Sequence, residues 1–190
     1  MPAALFGASF ACACVEVSMT SAPEAVFRPT EVRTRQGRTL LVKEYSAGDF
    51  GALVEMYKSF LPKRVAQGLP PTDVPRIAHW LDGLQRISSA LLAWDEKKVA
   101  AHAALCPIRI DCVEFSIFVH QNYRKQGLGT ALSERALDWA RPMGFRSVYL
   151  TTEISNVPAI RLFHKLGFQT ISSAANECEM KLEFVERWAA

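Results

Sequence analysis

In the stretch YRKQGLGTAL, Tyr123–Leu132, two cations, Arg124 and Lys125, stand just ahead of two glycines, Gly127 and Gly129, where helical spacing begins. A helix mouth of this kind offers backbone N–H groups without intrahelical partners and the positive end of the helix dipole. Both suit a phosphate or pyrophosphate. Glycines let the backbone come close to the anion, and the cations add charge at the rim. The pattern lacks the Gly-Lys-Ser/Thr ending of a nucleoside-triphosphate loop. Leu132 stands where a dinucleotide-binding turn needs its third glycine. A glycine-assisted turn into a surface helix fits the same residues, so the turn alone leaves both readings open.

Two carboxylates invite a second chemistry. Glu114 interrupts CVEFSIFV, Cys112–Val119, the most strand-like run in the chain. Strand alternation puts Glu114, Ser116 and Phe118 on one face and Val113, Phe115, Ile117 and Val119 on the other. A carboxylate among apolar neighbours is a natural general base, and a solvent-facing strand charge is the plain alternative. Glu153, at the end of the strand SVYLTT (Ser147–Thr152), is a second candidate base. His120 titrates near neutral pH but reads as a loop residue contributing its backbone.

The elements that must position these groups follow from periodicity and breakers. TLLVKEY, Thr39–Tyr45, reads as a strand, and SAGDFGALVEMYKSF as a helix with Phe50, Leu53, Val54, Met56 and Tyr57 on one side. Leu61–Pro71 is a loop. TDVPRIAHWLDGL is a short helix with Thr72 or Asp73 as cap, Pro75 in its first turn and Gly83 near its end. SALLAW and VAAHAAL, joined by DEKK, form a hairpin. After Cys112–Val119 come the helix GLGTALSERALDWA, stopped by Gly144, the strand Ser147–Thr152, and a helix in NVPAIRLFHKLGF with Asn156 placed to cap it. ECEMKLEF closes the order as a strand. The pattern predicts a mixed α/β sheet with helices on both faces.

A length of 190 residues and 49% hydrophobic content suit one soluble domain with a substantial core. A net charge of +3 without interleaved basic and aromatic residues argues against nucleic acid as a partner. No apolar run approaches the roughly 20 residues of a membrane span. The five cysteines fit no zinc spacing, so no metal is expected, and they read as free thiols of a reducing cytoplasm. Met1–Val17 is apolar but lacks a basic leader region, and Met19 follows it. Residues 1–37 read as a flexible tail or a mis-assigned start, and 38–190 as the domain.

Two ordered stretches carry a family resemblance. VEFSIFVHQNYRKQGLGTAL closely resembles the cofactor motif of GNAT-type N-acetyltransferases, in which a strand ending in Val leads through a turn into Gln/Arg-x-x-Gly-x-Gly/Ala at the head of a helix. Val119, Arg124, Gly127 and Gly129 fill those positions, and Lys125 stands where the family often has Gly. TTEISNVPAIRLFHKLGF resembles the family's later motif, with Asn156, Ala159, Leu162, Phe163, Gly167 and Phe168 in register. The specific motifs lie between Glu114 and Phe168, and the element order agrees from Thr39 onward.

The resemblance implies a GNAT fold: a mixed, mostly antiparallel, twisted central sheet, helices on both faces, and a splay between Cys112–Val119 and Ser147–Thr152. It implies acetyl transfer from acetyl-CoA to a primary amine by direct attack. The pyrophosphate then falls to Arg124, Lys125, Gln126, Gly127, Leu128, Gly129 and Thr130, and the pantetheine arm to the backbone of Phe118, Val119 and His120 and to Asn156. The N–H of Val119 is the candidate oxyanion donor. Glu114 matches the Glu of the V-E-x-S-x-Y-V strand in phosphinothricin-type members. Phe163 occupies the cofactor-side position where many members carry a proton-donating Tyr, so coenzyme A leaves as the thiolate or a water, Tyr123 or His164 substitutes. The acceptor lies between Lys58–Gln85 and the C-terminal strands, a region whose Lys63, Arg64, Asp73, His79 and Trp80 spell no specificity. Small amines, amino acids and protein amines stay open as acceptors. The resemblance also implies a homodimer through the C-terminal strands. A non-catalytic acyl-CoA-binding sensor on the same fold is the alternative.

Overall fold

The computed structural model describes residues 25–62 and 70–184. Eight strands, β1 (Thr30–Arg33), β2 (Thr39–Glu44), β3 (Ser89–Asp95), β4 (Lys98–Arg109), β5 (Cys112–Val119), β6 (Ser147–Glu153), β7 (Gln169–Ala174) and β8 (Glu177–Glu183), form one sheet in the order β1-β2-β3-β4-β5-β6-β8-β7. Four helices accompany it: α1 (Phe50–Lys58), α2 (Val74–Ile87), α3 (Leu128–Ala140) and α4 (Val157–Lys165). Every neighbouring pair is antiparallel except β5–β6.

Strand alternation sorts the core into two layers. Val113 and Phe115 of β5 pack with Leu132 and Ala136 of α3 and Phe163 of α4. Phe118, on the opposite face, packs with Leu53 and Tyr57 of α1 and Ile77 and Leu81 of α2. The sheet is thus covered by α3 and α4 on one side and by α1 and α2 on the other, as the resemblance implies.

Local chemistry accounts for the element ends. A short 3-10 turn, Ala47–Asp49, precedes α1, where Asp49 accepts from Ser46 N and from Lys43 Nζ at 2.7 Å. Asp73 caps α2 by accepting from Arg76 N, with Pro75 in the first turn. Gly83 does not end that helix, which continues to Ile87 because Leu84 is buried and Ser88 Oγ bonds Leu84 O. Gly167, at φ +94, turns the chain out of α4.

Two strands lie outside the sequence expectation. β1 falls inside the stretch read as tail, and its four residues pair in register with β2. Phe27 meets Trp139 of α3 edge-on at 5.6 Å. The ordered sheet therefore starts before residue 38. β7, QTISSA, is an edge strand with five of its six residues exposed, so it carries no buried alternation to read. Of the cysteines, Cys106, Cys112 and Cys178 are buried and in no disulfide. Cys12, Cys14, Lys63 and Arg64 lie outside the described residues.

Candidate active site

β5 and β6 run side by side only at Cys112–Ser147, Val113–Val148 and Glu114–Tyr149. Beyond that level they diverge, while β5 stays paired to β4 as far as Val119–Ala101. A wedge opens between them toward the mouth of α3. Its β5 wall is a row of backbone groups whose direction follows from the ladder. His120 N donates to Ala100 O at 3.0 Å. Antiparallel pairs alternate between bonded and non-bonded, so Phe118 also points its N–H at β4. The N–H groups of Ile117 and Val119 then face the wedge, where β6 no longer supplies acceptors.

This alternation separates the expected backbone contributors. Val119 is turned to the wedge. The N–H groups of Phe118 and His120 are turned to β4, and His120 O accepts from Tyr123 N. Ile117, which the sequence reading did not single out, offers a second wedge-facing amide. Strand alternation within Cys112–Val119, combined with one ladder bond, is the signal that finds it.

The α3 mouth is an open row of donors. Gly127 is the N-cap at φ +88, with no side-chain cap. The first bond inside the helix is Ala131 N to Gly127 O, which leaves the N–H groups of Leu128, Gly129 and Thr130 without intrahelical acceptors. Lys125 takes the left-handed conformation, φ +61, and is exposed. Gln126 is buried and its Nε2 bonds Asn122 O. Arg124 is not a free cation at the rim. Its Nε donates to Val119 O at 2.8 Å, its Nη2 to Leu61 O, and its guanidinium lies over Phe60. It ties the end of β5 to the segment after α1.

A second cation reaches the same turn. Arg35, in the β1–β2 turn, donates its backbone N–H to Gln126 O at 2.8 Å. Its side chain crosses Gly127: a Cβ there would sit 3.6 Å from Arg35 Cγ and 3.7 Å from Nε. Arg35 lay in the stretch read as tail, and only the pairing of β1 with β2 brings it here. A Cβ at Gly129 would meet Leu162 at 3.5 Å and Val119 at 3.6 Å, ordinary contact distances. Gly129→Ala is therefore expected to keep pyrophosphate affinity at the α3 mouth within about twofold, as measured by calorimetric titration.

Glu114 and Tyr149 share one face, as register partners of a parallel pair. Thr151 and Glu153 continue that face along β6, and Glu179 and Glu177 pair with them from β8. Burial pushes the Glu114 carboxyl up to about 7. Glu153 lies four residues beyond Tyr149, about 13 Å along the strand, and accepts from Ser155 Oγ. The two candidate bases thus stand at opposite ends of the wedge. Asn156 does not cap α4 with its side chain, whose Nδ2 donates to Thr152 Oγ1 at 3.3 Å, and the residue is exposed at the wedge's β6 side.

The side-chain acids offered in place of a Tyr at Phe163 are all committed elsewhere. Phe163 is 5% exposed and packs edge-on with Phe115 and tilted on Phe168. Tyr123 donates its hydroxyl to Asp95 at 2.8 Å, and burial with that carboxylate holds its pKa up at about 12. His164 bonds Phe168 O through Nδ1. The His120 ring pairs with Ser59 Oγ at 3.1 Å, and burial together with Arg124 lowers its pKa.

Two hollows, of about 860 and 470 Å³, lie around the β3–β4 turn and between that turn and α1. Neither is lined by Glu114, Ser116 or the α3 mouth. Among the described residues no helix is long and apolar enough to cross a membrane, and no group of three or more His, Cys, Asp or Glu is placed to hold a metal ion.

The chain is 34% identical over 79 residues to the ribosomal protein bS18-alanine N-acetyltransferase of Escherichia coli, a match covering 42% of this chain. The chain spans about half the length of that relative, 53%. It is 24% identical over 139 residues to phosphinothricin N-acetyltransferase of Streptomyces viridochromogenes, covering 69% of this chain and 75% of the relative. In structure it resembles the GNAT domain of S. lividans PAT, with a TM-score of 0.67 at 20% identity over 82% of this chain and 97% of that one. It also resembles a Salmonella typhimurium protein solved with its cofactor acetyl-CoA, with a TM-score of 0.63 at 23% identity over 80% and 97%. Residues 52–168 match the acetyltransferase (GNAT) family model. That range holds β3 to β6, the mouth of α3 and α4, and the chain belongs to the acetyltransferase (GNAT) family.

Proposed function

We propose that the protein transfers an acetyl group from acetyl-CoA to a primary amine by direct attack. The observation that carries this reading is the loss of β5–β6 pairing past Glu114–Tyr149, which leaves wedge-facing amides on β5 in line with the uncapped mouth of α3. In this reading Leu128, Gly129 and Thr130 donate their N–H groups to the diphosphate, Gly127 admits it, and Lys125 and Arg35 supply charge. The Val119 N–H, with Ile117 behind it, stabilises the oxyanion that develops as the amine attacks. Asn156 reaches the pantetheine arm from the β6 side.

Glu114 is the base. An alkyl amine with a pKa near ~10.4 costs about 4.6 kcal/mol to neutralise at pH 7. A carboxylate with pKa about 7 is matched to accept that proton near neutral pH. The amine nitrogen bonds to the acyl carbon, the C–S bond breaks, and the sulfur leaves with the electron pair. With Tyr123, His164 and His120 engaged away from the wedge, coenzyme A departs as the thiolate.

Arg35→Ala is expected to weaken acetyl-CoA binding about fivefold, more at low ionic strength than at high. Calorimetry at two salt concentrations checks it. Thiol release over a broad panel of primary amines tests the function as a whole. Steady release with at least one amine supports transfer. Acetyl-CoA binding without release from any amine supports the second reading, a non-catalytic acyl-CoA sensor, which the packed Phe163 favours.

A further inference from the structure

Asp95, at the end of β3, gathers partners from two distant parts of the chain. Its Oδ2 accepts from Arg38 Nη1 at 2.9 Å and from the Tyr123 hydroxyl at 2.8 Å. The Arg38 guanidinium also lies over the Tyr123 ring, 5.8 Å from its centre. A carboxylate that takes a guanidinium and a phenol on one oxygen is a charge-assisted junction. Its side chain is only 23% exposed, so water competes with it less than with a surface pair. Acetyl transfer as derived above gives none of these three side chains a task.

Both partners lead to the phosphate seat. Tyr123 opens the turn that runs through Lys125 and Gln126 to Gly127. Arg38 closes the β1–β2 turn, which its own bonds make stiff. Thr34 N donates to Arg38 O at 2.8 Å, Gly37 N to Thr34 O at 2.9 Å, and Arg38 N to Thr34 Oγ1 at 3.1 Å. Arg35 rides on that turn, bonds Gln126 O through its backbone and carries its side chain across Gly127. The contacts close a ring: from Asp95 to Tyr123, along the chain to Gln126, across to Arg35, along the turn to Arg38, and back to Asp95. Arg35 and Arg38 lie ahead of residues 52–168, the part that matches the family model. A turn and a cation fixed before the ligand arrives need less ordering when it binds.

We propose that Asp95 is a positioning residue for the cofactor. Through Arg38 and Tyr123 it fixes the β1–β2 turn against the phosphate turn, and so holds Arg35 and Gly127 where the diphosphate binds. It acts through these partners rather than on the ligand. The inference rests on the phosphate seat of the acetyl-transfer reading.

The sign of the effect separates this role from a field effect. Asp95 is an anion bonded to the turn that receives the diphosphate. Removing its charge, taken alone, favours an anionic ligand. Losing the ring disfavours it.

Calorimetric titration with acetyl-CoA compares the wild type, Asp95→Asn, Tyr123→Phe, Arg35→Ala and the double variant Asp95→Asn/Arg35→Ala. Asp95→Asn is expected to weaken binding about threefold and Tyr123→Phe about twofold. The double variant should lose about fivefold to sixfold, because Arg35 is already displaced, and not the roughly fifteenfold of independent residues. With an amine that supports thiol release, KM for acetyl-CoA rises by the same factors while kcat and the amine KM hold. Unchanged or tighter binding in Asp95→Asn overturns the inference and leaves the phosphate seat standing. So does an additive double variant, or a fall in kcat with cofactor KM unchanged, which assigns Asp95 a structural role. Should Asp95→Asn fail to fold, Tyr123→Phe decides, since it removes one bond and no charge, and unchanged affinity there overturns the inference. A folded wild type that binds no acetyl-CoA overturns seat and inference together.

Discussion

Gly127→Val is expected to weaken acetyl-CoA binding at least about 100-fold while the protein still unfolds in one cooperative step. Gly127 sits at φ +88, where a β-branched residue is strained by about 1–2 kcal/mol. Its added Cβ lies within 3.6–3.7 Å of Arg35, and the two methyls beyond it occupy space between that side chain and the first N–H groups of α3. The variant is therefore expected to block the approach of an anion. It removes no contact from either core layer. A domain stability of about 5–15 kcal/mol accommodates strain of that size. Calorimetric titration paired with thermal denaturation checks both halves. Unchanged affinity contradicts the phosphate seat.

Glu114→Gln is expected to lower kcat about 100-fold at pH 7, with the deficit shrinking toward pH 9.5 as more of the acceptor amine is already neutral. The wild type should show a kcat limb rising with pH through an apparent pKa near 7, where burial holds the Glu114 carboxyl, and the variant should lose that limb. A loss of equal size at every pH points away from a base. Stability carries an independent signature. The folded state keeps the Glu114 proton up to about pH 7, whereas the unfolded chain releases it near the ordinary value of 4.5. The folded state therefore binds more protons in that window, and stability falls as pH rises from about 4.5 through 7. Glu114→Gln cancels that fall. At pH 8 the variant should be more stable than wild type by about 1–2 kcal/mol, a figure already reduced for the carboxyl's partial exposure. Chemical denaturation at pH 5 and pH 8 measures it.

The parts of this fold legible in the sequence are those where one face is buried. The alternation of Cys112–Val119 and the helical stripe after Gly127 define β5 and α3 because each packs against the core. The glycine spacing at 127 and 129 is legible because backbone conformation and close approach restrict residue type there. β7 was not legible, being an exposed edge strand whose pairing with β8 is written in backbone bonds rather than side chains. β1 was not legible because four residues after an apolar, unpatterned stretch carry little periodic signal. Missing β1 hid Arg35.

The site was legible in composition more than in geometry. Glu114 stood out as a charge in an apolar strand, and its raised pKa has the cause that placement suggests. The direction of the Val119 amide depends on the ladder partner of His120, which no single strand specifies. Arg124 matched a motif position and so read as a phosphate ligand. It donates to Val119 O, five positions away, and to Leu61 O, 63 positions away along the chain, and no local pattern announces the second bond.

The central claim is that uncapped amides at the mouth of α3 receive the diphosphate of acetyl-CoA. Amide NMR of the 15N-labelled protein during titration with acetyl-CoA tests it residue by residue. The account predicts that Leu128, Gly129 and Thr130 show the largest downfield shifts and gain protection from exchange, with the Val119 amide following as the wedge fills. Saturable binding that leaves those three amides in place, or shifts concentrated around the hollow at the β3–β4 turn, contradicts it.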